Sequence, residues 1–246
     1  MDRRNTIRLL GLAGLGAMSG ARPVRGQDLP PYTVGGAGPV VIAFDRGQGH
    51  YDQLMTRYRV VVMDYPPAVI RDSTSPKVIE SFTPDRVCAD VLAVADRVGA
   101  DRFAYYGFSW GGVVGLQLAT RTDRLSALVC AGWPPLGAPY KDMPNAAGPN
   151  QLLFKTFYDH LTNWPEREAV SRIACPRFTF AGRDDVITVP GVTARIGPLI
   201  AEHRDELERL GWRVRLVDGF RHELGFRADV TMPLVREFLD SVLPHA

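Results

Sequence analysis

The chain is poor in cysteine, nearly free of net charge and without a long apolar run. Only Cys88, Cys130 and Cys175 occur among its 246 residues. They show no CxxC or other metal-ligand spacing, so the cysteines offer no metal site. Each falls in an apolar stretch (VCADVL, LVCAG, IACPRF), where cysteine behaves as a small buried hydrophobe. With 29 basic and 27 acidic residues, the formal charge is +2. A nucleic-acid or membrane-surface partner needs a clustered excess of Lys and Arg, and none is present. Internal repeats, linkers and low-complexity tracts are missing too. What the chain does have is 46% hydrophobic residues, enough for a substantial core in one domain, or one domain with a small insertion.

The N-terminus reads MDRRNTIR, then LLGLAGLGAMSGA. The apolar part is about a dozen residues, short of the ~20 that a membrane helix needs, so no stable membrane span is expected. Arg3-Arg4 ahead of a short, weakly hydrophobic stretch resembles a twin-arginine export signal. The alternative, a buried N-terminal helix, is disfavoured by Gly11, Gly14, Gly16 and Gly20. Small residues at Ser19-Gly20-Ala21 offer one cleavage point, and a second follows Gly26. Residues 1–26 are therefore read as a signal peptide handled by the twin-arginine export machinery, and 27–246 as the mature domain, periplasmic or secreted.

From residue 32 onward, short β-branched runs alternate with helical patterns. VVIAF (40–44) and RVVVM (59–63) are continuous apolar runs, as in strands covered on both faces. Thr83-Pro84-Asp85 opens a helix that ends at Gly99: a threonine cap, proline at the first helical position, an acid in the first turn. Strands follow at 102–106 and 125–131, with a helix at 111–120 between them. Residues 134–174 break the rhythm with two amphipathic pieces, 151–164 and 166–173, and read as a short helical insertion. A strand at 177–181, a long helical stretch to residue 210, a strand at 213–217 and a helix at 228–243 complete the chain. Strands separated by helices predict an α/β domain with a mostly parallel sheet flanked by helices.

Gly107-Phe108-Ser109-Trp110-Gly111 fits G-x-S-x-G and falls between a predicted strand and a predicted helix. A strand turning abruptly into a helix forces the central residue into a strained conformation, and glycines two before and two after let strand and helix pass closely. The serine then projects from the C-terminal edge of the sheet, where ligands of open α/β sheets bind. The new helix supplies free N–H groups beside it. Serine is a weak nucleophile that needs a base, and the base needs an orienting acid. After the 177–181 strand comes Gly182-Arg183-Asp184-Asp185-Val186-Ile187. After the 213–217 strand comes Asp218-Gly219-Phe220-Arg221-His222. Serine, acid and histidine thus leave one sheet edge in the order of a hydrolase triad. His160 and His203 sit in helical patterns, His245 in the tail, and His50 precedes the serine.

On these residues, the chain from 32 to 243 resembles an α/β-hydrolase-fold serine hydrolase. The resemblance implies Ser109 as nucleophile, Asp185 as acid and His222 as base, with 134–174 as a small lid and no cofactor or metal. It implies an oxyanion hole made by the N–H of Trp110 and one from the loop after the first long strand, assigned to Arg46. Gly182, Asp185 and Ile187 match the family's spacing around the acid; Asp184 does not. Two departures stand out. Where the family usually has His-Gly after the first long strand, this chain reads Phe44-Asp45-Arg46-Gly47-Gln48-Gly49, in which pairing of Asp45 with Arg46 at the rim is an alternative. The family's glycine-rich turn after Asp64 is here Tyr65-Pro66-Pro67, a stiffer entrance wall. The expected substrate is a small-molecule ester with a small or medium acyl group, crowded by Phe44, Tyr65, Phe108 and Trp110. Amide, peptide or lactone hydrolysis on the same fold is the alternative, as is a non-catalytic binding protein that kept the fold. Aspartate-nucleophile relatives such as epoxide hydrolases are disfavoured by serine at the elbow. Oligomeric state is left open.

Overall fold

The computed structural model describes residues 29–71, 75–146 and 151–243. Residues 1–26, expected from the sequence to be a signal peptide, and His245 lie outside them. Among the described residues nine strands form: β1 (Tyr32–Gly35), β2 (Val40–Phe44), β3 (Arg59–Met63), β4 (Phe103–Phe108), β5 (Leu125–Ala131), β6 (Arg177–Gly182), β7 (Ile187–Val189), β8 (Val192–Ala194) and β9 (Trp212–Val217). Seven make one sheet in the order β1-β3-β2-β4-β5-β6-β9. β1 runs antiparallel to β3 and every other pairing in that sheet is parallel. Strands β7 and β8 form a separate antiparallel hairpin.

The continuous apolar runs become central strands because both of their faces are covered. Val41, Ile42 and Ala43 of β2 are fully buried, and each such Val or Ile side chain contributes roughly 1.5–3 kcal/mol. On one face the Pro84–Arg97 and Trp110–Ala119 helices pack with Val87, Val91, Val113 and Leu116. On the other lie the short Asp52–Met55 helix and the Ala228–Val242 helix, with Leu54, Met232, Val235 and Leu239. Thr83 caps the first of these helices as the sequence predicts, its Oγ1 accepting the Arg86 N–H at 3.2 Å.

The expected long helix before residue 210 is instead the β7–β8 hairpin followed by two short helices, Ile196–Glu202 and Arg204–Arg209. Ile187-Thr188-Val189 and Val192-Thr193-Ala194 alternate across Pro190-Gly191, a hairpin pattern. Gly191 has φ +90°, and a β-carbon there would collide with the Asn145 carbonyl. Between β5 and β6 lie the Met143–Asn145 turn of 3-10 helix and the Gln151–Asp159 and Glu166–Ser171 helices. Glu166 ties this region to the loop after β5 by accepting the N–H groups of Gly137 (2.6 Å) and Ala138 (3.1 Å). Cys88 and Cys130 are buried, while Cys175 is only half-buried; all three are free thiols.

The chain leaves β2 toward β3 on one side and reaches β4 on the other. The C-terminal ends of β2 and β4 therefore flank the point where strand order reverses, where open α/β sheets form a crevice.

Candidate active site

Ser109 sits at that crevice, between β4 and the Trp110–Ala119 helix. Its φ of 59° is the only positive value for a non-glycine residue among the described residues. Strain of this kind costs on the order of 1–3 kcal/mol and persists only where the surroundings enforce it. Here the Ser109 N–H donates to Ala131 O of β5 at 2.8 Å, and the Gly112 N–H donates to Ser109 O at 2.8 Å. The Tyr105 hydroxyl donates to Gly111 O at 3.0 Å, bracing the first helical turn against β4. The two motif glycines are not equivalent. A β-carbon on Gly107 would overlap the Gly111 carbonyl, whereas one on Gly111 would only touch Phe44 Cδ2 at 3.5 Å. Close passage of strand and helix thus requires glycine before the serine, and Gly111 is not held to it by space.

Asp185 and His222 come from the loops after β6 and β9 and meet behind the serine. The end of β6 approaches the β9 loop so closely that a β-carbon on Gly182 would overlap the Phe220 carbonyl. Backbone bonds fasten the approach: Arg183 N–H to Val217 O at 2.9 Å and Asp184 N–H to Phe220 O at 3.3 Å. Asp185 is fully buried while Asp184 is exposed. His222 Nδ1 lies 3.0 Å from Asp185 Oδ2 and 3.2 Å from Oδ1. His222 Nε2 lies 2.9 Å from Ser109 Oγ. A buried carboxylate is costly unless it is paired and hydrogen-bonded, and His222 supplies that partner. The imidazole also rests on Phe108, ring centroids 5.1 Å apart.

Trp110 and Arg46 border the same space. As the first residue of its helix, Trp110 has an N–H without an acceptor inside the helix. Arg46, Ser109 and Trp110 line one cleft of ≈ 220 Å³. Gly47, next along the loop, donates its N–H to Asp45 Oδ1 at 2.9 Å. The Asp45–Arg46 pairing considered from sequence does not form: Asp45 turns to Gly47, and Arg46 Nε donates to Gly225 O at 3.3 Å. The entrance wall is tied down by Arg71, which bonds both Asp64 (2.9 Å) and the Pro66 carbonyl.

Phe44, Tyr65, Phe108 and Trp110 all border the cleft, as expected, and Phe44, Tyr65 and Phe82 stack in turn on Trp110. A second cavity of ≈ 250 Å³ also borders Ser109 and Trp110. Its walls include Trp133, Met143, Phe154, Tyr158, Ile187 and Val192. Sequence reasoning missed Phe154 and the hairpin residues as pocket walls; the Pro-Gly turn was the available signal.

The other histidines stay apart from the triad. His160 is exposed, and His203 lies beside Glu206. His50 is buried and borders a third cavity. Burial chiefly, then the nearby Arg46 cation, lowers its pKa to about 4, against an opposing contribution from Asp45. Among the described residues no cluster of His, Cys, Asp and Glu could hold a metal ion, and no helix is long and apolar enough to cross a membrane.

A family described as alpha/beta hydrolase fold matches residues 44–197, more than half of the chain. The chain belongs to the alpha/beta hydrolase fold family. Its neighbours among solved structures carry the same fold at low identity. An epoxide hydrolase from Vigna radiata is 16% identical over 92% of this chain and 100% of its own, with a TM-score of 0.67. A Bacillus subtilis carboxylesterase is 14% identical over 91% and 90%, with a TM-score of 0.60. An enol-lactonase from Burkholderia xenovorans LB400 is 18% identical over 85% and 95%, with a TM-score of 0.59. No curated protein matches the chain by sequence. At these identities the likeness to the solved structures is one of fold.

Proposed function

We propose that the protein is a serine hydrolase that cleaves carboxylic esters of small or medium acyl groups through an acyl-enzyme on Ser109. The observation that carries this reading is Ser109 Oγ at 2.9 Å from His222 Nε2, with the buried Asp185 behind the other ring nitrogen. His222 takes the Ser109 proton as Oγ attacks the ester carbonyl, then gives it to the leaving alcohol. A water, deprotonated by the same imidazole, releases the acid. Asp185 orients the ring and stabilises the imidazolium. The Trp110 N–H and the Arg46 N–H receive the negative charge that develops on the carbonyl oxygen. Engagement of the Gly47 N–H by Asp45 favours Arg46 as the loop's donor. The apolar cavity beside Trp110 takes the acyl group, and its size suits a short chain.

Serine at the elbow argues against the aspartyl-ester chemistry of aspartate-nucleophile relatives. The Arg3-Arg4 signal supports export through the twin-arginine machinery to the periplasm or beyond. Hydrolysis of p-nitrophenyl butyrate by purified protein and by Ser109→Ala tests the catalytic reading. The variant loses on the order of 10⁴-fold or more in kcat. Retained turnover would exclude this nucleophile.

A further inference from the structure

Arg46 does more than present a backbone N–H. Its guanidinium carbon lies 5.0 Å from the centroid of the Phe108 ring and 4.9 Å from that of Phe226, so the cation is held between two aromatic faces. Its Nε donates to Gly225 O, a contact between residues 179 apart in the chain. Phe108 immediately precedes Ser109, and Gly225 and Phe226 belong to the His222–Phe226 turn of 3-10 helix that begins with the catalytic base. Phe226 is 73% exposed, and its ring lies over the guanidinium at the surface. A β-carbon on Gly225 would collide with both Arg46 Nη2 and Phe108 Cε1, so this glycine leaves room for the clamp.

We infer that the Arg46 side chain is a positioning residue that clamps the loop carrying the oxyanion donor to the turn carrying His222. The two groups must act on the same tetrahedral intermediate, one holding its oxygen and the other transferring its proton. A planar cation between two rings, with one directed hydrogen bond, fixes their separation in a way that a flexible ammonium cannot. The inference rests on the serine-hydrolase reading above.

The test compares wild type with Arg46→Met, Arg46→Lys, Phe226→Ala and the Arg46→Met/Phe226→Ala double variant, using p-nitrophenyl butyrate kinetics and backbone hydrogen exchange. Misplacing a catalytic group by about 1 Å costs ~10²-fold, so Arg46→Met lowers kcat by ~10–100-fold with KM within about threefold. Phe226→Ala, at an exposed site, lowers kcat by ~3–10-fold without loss of thermal stability. Arg46→Lys falls between wild type and Arg46→Met. The double variant is no slower than Arg46→Met alone, because both substitutions remove one clamp. Amides at 45–49 and 222–226 exchange faster in the variants, while those of β4 do not. Additive rate losses, unchanged exchange in both segments, or a rise in KM confined to carboxylate-bearing esters would overturn the clamp. The last result would make Arg46 a substrate anchor. If Ser109→Ala keeps its activity, the nucleophile reading fails, and exchange in the two segments still decides the clamp.

Discussion

Asp184 and Asp185 are adjacent in the chain, yet one faces solvent and the other is fully buried against His222. Gly182 and the Gly197 N–H, which donates to Asp185 O at 2.9 Å, fix the turn that separates them. Only Asp185 can accept the Nδ1–H of His222 and so select the tautomer with Nε2 free for Ser109. Asp185→Asn is expected to lower kcat by roughly 10²–10⁴-fold, and Asp184→Asn by less than about tenfold. Steady-state kinetics on the two variants decide the matter, and interchanged effects would move the acid to Asp184.

His50 should set part of the acid sensitivity of the fold. Its pKa falls from 6.5 to about 4 on folding, mainly through burial. Below pH 6.5 the unfolded chain binds a proton that the folded chain refuses, so this contribution is complete above pH 6.5 and is lost as pH falls toward about 4. Allowing for solvent in the adjoining cavity, the loss amounts to roughly 1–2 kcal/mol. Denaturant unfolding from pH 7 to pH 4 should show a shallower decline for His50→Gln than for wild type. Parallel declines would mean that His50 does not titrate as described.

The acyl preference follows from the walls beside Ser109. Phe154 borders both the cavity and the cleft, packing against Trp110 with ring centroids 5.4 Å apart. Wild type should hydrolyse butyrate esters at least ~10-fold faster, by kcat/KM, than dodecanoate esters, and Phe154→Ala should narrow that ratio. A wild-type preference for the long chain would contradict a short acyl pocket.

How much of this was legible in the sequence depends on how local each signal is. The strands β2, β3 and β5 announce themselves because chain buried on both faces must be continuously apolar. The serine elbow is legible because its geometry is enforced within a few residues. The β7–β8 hairpin has one local signal, Pro190-Gly191, and it is outweighed: three-residue strands are brief, and Ile196, Leu199 and Ile200 extend a helical pattern back toward them. β1 was missed as a four-residue edge strand with one buried side chain. The unequal roles of Gly107 and Gly111 could not be read, since both look alike until the approaching atoms are known. The Arg46 clamp was invisible for the opposite reason: its partners lie far along the chain.

The proposed export should depend on the arginine pair itself, because a twin-arginine signal is read by a receptor. Replacing Arg3 and Arg4 with lysine is expected to leave uncleaved precursor in the cytoplasm, as followed by fractionation and immunoblotting. Mature protein appearing normally outside the cytoplasm would remove the twin-arginine assignment and leave the chemistry intact.

The central claim is that Ser109 is a nucleophile activated by His222, and a covalent label tests it most directly. Treatment of purified protein with a fluorophosphonate, followed by intact-mass and peptide mass spectrometry, should show one adduct per chain on Ser109. The adduct should be absent in Ser109→Ala and should form at least ~10²-fold more slowly in His222→Asn, which cannot take the proton. No adduct on folded wild-type protein, or labelling on Ser109 at an unchanged rate without His222, would contradict the account.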